Sequence, residues 1–278
     1  MHSLSIGKYQ DTQSIDQIKI GIFKYYEEEL KSRPSFHEYT DNLPEDLRNE
    51  ILKISSSKQL RDEICKAYKN CNIKELPNIN ELYISHYNLD KGGDEGLFKK
   101  HYDGILGFLK NATFVRVLLY VNSNDKYVVH FLDSNVSHNF KTYEFGILDF
   151  NREYHQVEGK YDPNIDIKDT RIILKLNYMV CPVCSPFYSD FLIFINGLVF
   201  HIVKSCMEYS KSPKTIFQKV IGFFCNLFRI ANNIHITMTI LLILVLLFIV
   251  IIAFVYLTKF FPKVMITIKK TIKKTRMF

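Results

Sequence analysis

An uncharged apolar run near the C-terminus constrains this chain more than any other feature of its sequence. Residues 236–258 contain no charged side chain. In a helix, which rises about 1.5 Å per residue, this run is long enough to cross the roughly 30 Å hydrocarbon layer of a bilayer. A buried core helix is the alternative, but the length and the basic flank disfavour it. We therefore expect a transmembrane helix at 236–258, with the folded domain before it.

The net charge of the chain lies in the tail that follows this run. The formal charge is +7, and no acidic residue occurs after Thr258. The seven basic residues of the tail, 259–278, equal the whole net charge: Lys259, Lys263, Lys269, Lys270, Lys273, Lys274 and Arg276. Such a tail suits anionic lipid headgroups, whereas a nucleic-acid-binding domain carries Lys and Arg across its folded surface. We expect a lipid partner and no nucleic acid.

The six cysteines are too few and too scattered for a disulfide scaffold. A reducing compartment with ordinary buried thiols is the simpler interpretation. Cys181 and Cys184 form a CxxC pair, but no second pair accompanies them, so a zinc site is disfavoured.

The N-terminal part has a helical pattern of apolar residues. Ser14 and Gln17 resemble a capping box, and apolar residues recur at helical spacing through most of 14–70. We therefore expect an N-terminal helical region, 1–74, that packs on the core.

From about residue 80 the pattern changes to strand-length runs of β-branched and aromatic residues separated by turn-forming stretches. The runs read ELYISHYNL, ATFVRVLLYVN, KYVVHFLD, KTYEFGILDF and TRIILKLNYMV. Many short strands after a helical region predict a β-sandwich or barrel-like core with helices outside. We assign this mainly β, α+β domain to 75–185. The apolar but partly charged segment 186–235 predicts amphipathic helices near the membrane or on the core.

Three residues in the β region have the chemistry of a ferrous iron site. His101 and Asp103 are two residues apart, so on a strand they point to the same face. His155 can complete a set of two imidazoles and one carboxylate, the donor set that leaves positions open on Fe(II). The alternative is that these are ordinary polar residues of a β-sandwich that binds no metal.

The order of motifs around these residues makes the iron site more specific. The chain reads YISHYNLDKGGDEGLFKKHYDG, then RVLLYVN, then FNREYHQVEG, then DTRIILKLNY. In this order it resembles the 2-oxoglutarate/Fe(II) dioxygenase superfamily, particularly its prolyl-4-hydroxylase-like branch, over roughly 80–180. That family shows a Tyr-bearing strand, a Gly-rich turn, HxDG, a further strand, a distal His and a strand opened by Arg or Lys. The resemblance implies a double-stranded β-helix, or jelly-roll, core.

The resemblance also implies roles for single residues. Fe(II) is held by His101, Asp103 and His155, and Arg171 pairs with the distal carboxylate of 2-oxoglutarate, the co-substrate. Lys175 is the alternative to Arg171, because strand alternation places it on the same face. Tyr87 is a candidate for hydrogen bonding to the oxo-acid, and an ordinary core Tyr is its alternative. Ascorbate is a further cofactor of this type of enzyme.

These inferences predict a membrane-anchored dioxygenase, a hydroxylase for which the resemblance favours peptidyl proline or lysine as substrate. The alternative is a non-catalytic membrane-anchored β-sandwich that binds a partner. We expect a single-pass protein, but the side of the domain stays open. The basic tail favours a cytoplasmic C-terminus, with the domain across the membrane, whereas a tail anchor leaves the domain cytosolic.

Overall fold

A computed structural model of the protein defines the fold. It describes residues 4–32, 35–69, 72–85, 100–104, 112–123, 126–159, 169–182, 184–211, 215–216, 218–219 and 221–223. The chain divides into two compact units, 1–200 and 201–278. Every strand found among the described residues belongs to the first unit.

Strands dominate the first unit, and helices lie mainly before them in the chain. The strands are β1 (Ser5–Lys8), β2 (Ser35–Tyr39), β3 (Ile73–Glu75), β4 (Glu81–Ser85), β5 (Thr113–Asn122), β6 (Tyr127–Phe131), β7 (Val136–His138), β8 (Glu144–Asp149), β9 (His155–Gly159) and β10 (Arg171–Val180). The α-helices are α1 (Thr12–Tyr25), α2 (Glu27–Ser32), α3 (Glu45–Ser55), α4 (Lys58–Tyr68) and α5 (Pro186–Lys211). Short 3-10 helices cover Thr40–Asn42 and Pro77–Ile79.

The strands form two antiparallel sheets of different size. The major sheet has the order β1-β8-β5-β10-β4-β2, and β3 pairs with the end of β10. The minor sheet has the order β7-β6-β9. Strand β10 pairs along most of its length with β5 on one side. On the other side it pairs with β4 over 171–175 and with β3 over 178–180, so it lies at the centre of the major sheet.

The major sheet is covered on both faces. Alternate β10 residues, among them Ile172, Leu174 and Tyr178, pack with apolar residues of α1, α3 and α4. Ile173 points to the opposite face and packs with Val129 and Val157 of the minor sheet. The period-two alternation of a strand therefore separates a helix-facing core from an interior between the two sheets.

The N-terminal region differs from its predicted helical pattern. Helix α1 begins earlier than a capping box at Ser14 would place it, because the Asp11 side chain caps the helix and accepts from the Ser14 backbone N–H. Two segments of the region, β1 and β2, are edge strands of the major sheet. Strand β2 contains both Phe36 and His37, and its extended pairing with β4 overrides the helical pattern around it.

The predicted strand runs after residue 80 are confirmed as β4, β5, β6, β8 and β10. The predicted mainly β architecture with N-terminal helices is thus present as antiparallel sheets with helices on one face. Within the part of the chain that the structure describes, no helix combines the length and the hydropathy of a membrane span. The predicted span at 236–258 and the basic tail lie outside the described residues.

The cysteines differ from the expected buried thiols. Cys181 and Cys184 form a disulfide that closes a short loop between β10 and α5. Cys65 is also disulfide-bonded. The sulfur atoms of the CxxC pair are therefore bonded to each other rather than available to a metal.

A buried hydrogen bond joins the central strand to the helical layer, and its loss should destabilise the fold. The Tyr178 hydroxyl donates to the Ser55 carbonyl at 2.7 Å, and both residues are buried. Tyr178→Phe removes the donor and leaves a buried carbonyl without it, so we expect the free energy of unfolding to fall by about 1–2 kcal/mol. Urea unfolding followed by circular dichroism measures this loss. Tyr188→Phe, at a 38% exposed position, is the matched control and should change the midpoint little.

Candidate metal centre

The three predicted iron ligands lie together at one edge of the interior between the sheets. His101, Asp103 and His155 each offer a ligand atom, and these atoms all lie within 4.8 Å of one another. The Nε2 atom of His101 is 3.3 Å from one Asp103 oxygen, and Nε2 of His155 is 3.8 Å from the other. Two imidazoles and a carboxylate at this spacing form the donor set of a mononuclear ferrous site.

Backbone pairing brings the HxD segment to the distal histidine. His101 and His155 form an antiparallel bridge in which each backbone N–H donates to the other residue's carbonyl at 3.0 Å. The next residue after the motif, Gly104, donates to the Phe150 carbonyl. A Cβ at Gly104 would overlap Asn151 and approach the Phe150 ring to 2.8 Å. Only glycine therefore lets the HxDG segment lie this close to the turn before β9.

His155 is held in the form that a metal ligand requires. Its Nδ1 atom is 3.1 Å from the Glu153 carbonyl, and a donated N–H there leaves the Nε2 lone pair directed at the cluster. Burial lowers the pKa of His155, so the ring is neutral at physiological pH. Glu153 is itself fixed, because its carboxylate accepts from the backbone and the hydroxyl of Ser134.

Asp103 is oriented by a buried arginine from the major sheet. Nη1 of Arg116 lies 2.6 Å from an Asp103 oxygen, and Nε of Arg116 donates to Asn177 at 2.9 Å. Burial alone raises the pKa of the Asp103 carboxyl, but Arg116, Lys175 and the two histidines together outweigh this effect and hold the pKa well below its ordinary value. Asp103 is therefore a carboxylate, with one oxygen 2.6 Å from Arg116 and the other 3.3 Å from His101.

Arg171 is a buried cation whose charge is not matched by an acidic side chain. It is 3% exposed, and its Nη2 donates to the Tyr120 hydroxyl at 3.0 Å. The guanidinium lies over the rings of Tyr120 and Tyr127, at 5.3 and 5.1 Å. Its buried Nε has no hydrogen-bond partner, and no carboxylate of the described residues lies within ion-pair distance of it. A buried guanidinium in this state is a strong site for an anion.

Lys175 shares the face of Arg171 but has a carboxylate partner. Its Nζ atom is 3.7 Å from a Glu81 oxygen, and the same oxygen lies 2.7 Å from Nε2 of His37. Burial alone raises the pKa of the Glu81 carboxyl, but Lys175 and His37 outweigh it and lower that pKa to about 2. Lys175 is therefore already neutralised, in contrast to Arg171.

A single cavity connects the His–Asp–His cluster with both basic residues of β10. It is lined by the three candidate ligands, by Arg171 and Lys175, and by the side chains of Tyr83, Leu118, Val129, Val157 and Ile173. The lining thus combines the candidate ligands and two cations with an apolar wall formed by its aliphatic side chains. This arrangement can hold a short dianion, with one end on a metal and the other on a guanidinium.

The structure brings together five of the six residues predicted from the sequence. Tyr87 lies outside the described residues. Two other histidines of the β region lie in other contacts: His130 contacts Ser137 and Glu158, and His138 contacts Glu144.

Sequence reasoning missed Arg116, Asn177 and Glu81. Arg116 and Asn177 are polar residues inside mainly apolar strand runs, and Glu81 opens such a run. Such a residue must face a polar partner, so the pattern carried a signal for all three.

Comparison with solved structures finds oxygenases. One similar structure is the viral collagen prolyl hydroxylase vCPH from Paramecium Bursaria Chlorella virus-1 in a 2-oxoglutarate complex (10% identity, 64% of this chain and 96% of that chain, TM-score 0.41). Others are a prolyl 4-hydroxylase from Phytophthora capsici (14%, 84% and 82%, 0.43) and HygX from Streptomyces hygroscopicus with nickel and 2-oxoglutarate bound (8%, 64% and 82%, 0.39). No protein-family model and no curated protein sequence matches the chain.

The ionised Glu81 should make stability depend on acid pH. Because its pKa is lowered from 4.5 to about 2 by folding, the unfolded chain binds the proton first. Its contribution is therefore present above about pH 4.5 and is lost as the pH falls towards 2, by about 3 kcal/mol in total. Denaturant unfolding between pH 6 and pH 2.5 should show a steeper loss for the wild type than for Glu81→Gln. Equal slopes would contradict the assignment.

Proposed function

We propose that this protein is a membrane-anchored Fe(II)- and 2-oxoglutarate-dependent dioxygenase that acts as a hydroxylase. Its catalytic domain would be a double-stranded β-helix. The observation that carries the proposal is the single cavity between the His–Asp–His cluster and Arg171. A metal-binding set alone is common, and a buried arginine alone has several explanations. Their presence in the lining of one cavity is what a metal-chelated oxo-acid requires.

The residues present fit ferrous iron. His101, Asp103 and His155 would supply two nitrogen atoms and one oxygen atom, which leaves coordination positions open. His155 presents a neutral ring and Asp103 an ionised carboxylate, the states in which these side chains bind metals. Arg116 and the Glu153 carbonyl would fix the orientations of these two ligands from behind.

The residues also fit 2-oxoglutarate. Arg171 would hold the distal carboxylate, for which a planar guanidinium provides two parallel donors. Leu118, Val129 and Ile173 would contact the methylene groups. Around the cavity, Arg116, Arg171 and Lys175 outnumber Asp103 and Glu81 by one positive charge. The charges of Fe(II) and of the 2-oxoglutarate dianion are equal and opposite, so their joint binding adds no net charge to the interior.

When bound, iron and 2-oxoglutarate supply the oxidant that places one oxygen atom of O2 in a substrate C–H bond, with succinate and CO2 as the other products. The chain contributes position and a dry environment. Tyr120 keeps the Arg171 guanidinium in place through its hydroxyl, and Phe140 stacks on the Tyr120 ring at 4.5 Å. The aliphatic side chains of the lining would limit water in the cavity.

The proposed substrate class and the proposed membrane anchor are supported by the sequence. The resemblance to the prolyl-4-hydroxylase-like branch supports a protein or peptide substrate hydroxylated at proline or lysine, with ascorbate as an accessory reductant. The uncharged run 236–258 and the seven basic residues behind it support a single-pass anchor near the C-terminus.

The metal assignment predicts that three substitutions each abolish stoichiometric Fe(II) binding. His101→Ala, Asp103→Ala and His155→Ala each remove one of three protein ligands, so the site loses most of its affinity. Anaerobic Fe(II) titration and succinate production measure the effect. His130→Ala and His138→Ala are the controls, because both rings lie in other contacts, and they should bind iron as the wild type does. Full iron occupancy in His155→Ala would refute the ligand set, and a wild type without iron would favour a non-catalytic binding module.

The co-substrate assignment predicts a large loss for Arg171→Ala. A distal carboxylate in this interior would lose its only charged partner, a cost of about 3–5 kcal/mol, or more than a hundredfold in apparent affinity for 2-oxoglutarate. The metal-to-ligand charge-transfer band of the anaerobic Fe(II) protein reports this titration. Arg171→Lys should recover only part of the loss, since an ammonium cannot form the bidentate pair.

Lys175→Ala is the matched comparison on the same strand face, and it should titrate close to the wild type because Glu81 already neutralises Lys175. The opposite ranking of the two variants would transfer the role to Lys175. A wild type that binds iron but shows no band at any concentration would remove 2-oxoglutarate from the proposal.

A further inference from the structure

Helix α5 exposes a one-sided apolar stripe in its first half. Phe187, Phe191, Phe194 and Leu198 are 83%, 49%, 66% and 46% exposed. At 3.6 residues per turn, the four positions fall within about 60° of the helix circumference. None of them carries a charge, so the stripe is a continuous apolar surface.

The opposite face of the same helix is fixed to the β domain. Ser189, Leu192 and Asn196 are buried, and Leu192 packs in a cluster with Phe114 of β5 and Met179 of β10. These contacts prevent the helix from rotating to hide the stripe. Its exposure is therefore a property of the folded domain and not of a loosely attached segment.

Two neighbouring side chains of α5 do not cover the stripe. Asp190 lies to one side and pairs with Lys74 at 2.6 Å. The ring of Phe200 contacts the ring of Tyr39 instead. With about 150–250 Å² for each aromatic side chain, the exposed stripe is on the order of 400 Å². A patch of that size is comparable to the largest on an ordinary folded domain, and such patches are often functional.

We infer that this stripe, which we call the α5 stripe, rests on the surface of a lipid bilayer. The inference depends on the membrane anchor in the proposed function. The uncharged run starts at residue 236, fewer than forty residues after Leu198 in the chain. An anchored chain holds the α5 stripe at high effective concentration near the headgroups, so even a small apolar surface binds.

Two other occupants fit less well. A stable dimer buries roughly 800 Å² on each partner, about twice the area of the α5 stripe. Insertion of α5 as a second span is disfavoured because the helix contains Asp190, Lys204, Glu208 and Lys211, and no helix of the described residues qualifies as a span. Phe and Leu on one face with protein on the other suit shallow insertion at the headgroup boundary.

Single-tryptophan fluorescence tests the inference on the full chain, which contains no Trp. Phe187→Trp and Phe194→Trp place the fluorophore in the α5 stripe. Ile20→Trp is the matched control, because Ile20 is 66% exposed on another helix. Val245→Trp reports the anchor itself. Each variant is reconstituted into phosphatidylcholine and phosphatidylserine vesicles with or without brominated acyl chains, which quench only a nearby indole.

The expected result is that the Phe187 and Phe194 variants lose most of their emission in brominated vesicles and shift to shorter wavelength, while the Ile20 variant changes in neither respect. If Val245→Trp is quenched and Phe194→Trp is not, the α5 stripe does not touch the bilayer and the inference fails, although the anchor stands. An unquenched Val245→Trp would instead remove the anchor from the proposed function. Protection of Phe194→Trp from acrylamide without quenching by brominated lipid would identify a second protein copy as the occupant and overturn the inference.

Discussion

Burial of the major sheet on both faces is the constraint on which the rest of this structure depends. A strand with helices on one side and a second sheet on the other cannot carry a charge without a partner. Two of its charged side chains satisfy this condition, since Arg116 pairs with Asp103 and Lys175 pairs with Glu81. Arg171 does not, and its guanidinium is therefore left to pair with an anionic group of a ligand. The unmatched charge of Arg171 and the fold are thus linked by the same electrostatic requirement.

The pair between Arg116 and Asp103 links the HxD segment to the major sheet. Asp103 belongs to a short segment that contacts the turn before β9, whereas Arg116 and Asn177 belong to the central strands. A carboxylate that depends on a guanidinium of the sheet takes its orientation from the most ordered part of the domain. Asp103, a candidate metal ligand, is thus positioned by Arg116 of β5 and Asn177 of β10, and β10 also carries Arg171.

The sequence predicted the strands well because their period-two alternation coincides with real burial, as in β10, where Ile172 and Ile173 face different cores. The same alternation correctly placed Arg171 and Lys175 on one face. The alternation could not show which of the two is left without a carboxylate partner. That depends on Glu81, which reaches Lys175 only because β4 pairs with β10 in the folded sheet. Strand β2 and the contact of Arg116 with Asp103 were missed for the same reason: both depend on neighbours that are distant in sequence.

The central position of β10 also sets how the site responds to fluctuations. A strand that is hydrogen-bonded on both sides and buried on both faces opens only with the whole domain, and Arg171 and Lys175 lie on it. The backbone of His101, by contrast, pairs with His155 in an isolated bridge and not in a continuous ladder. Partial opening events should therefore break the backbone pairing of His101 more often than the pairing of β10. Slow amide exchange along β10, beside faster exchange at His101, would be the signature of a site with one rigid half and one labile half.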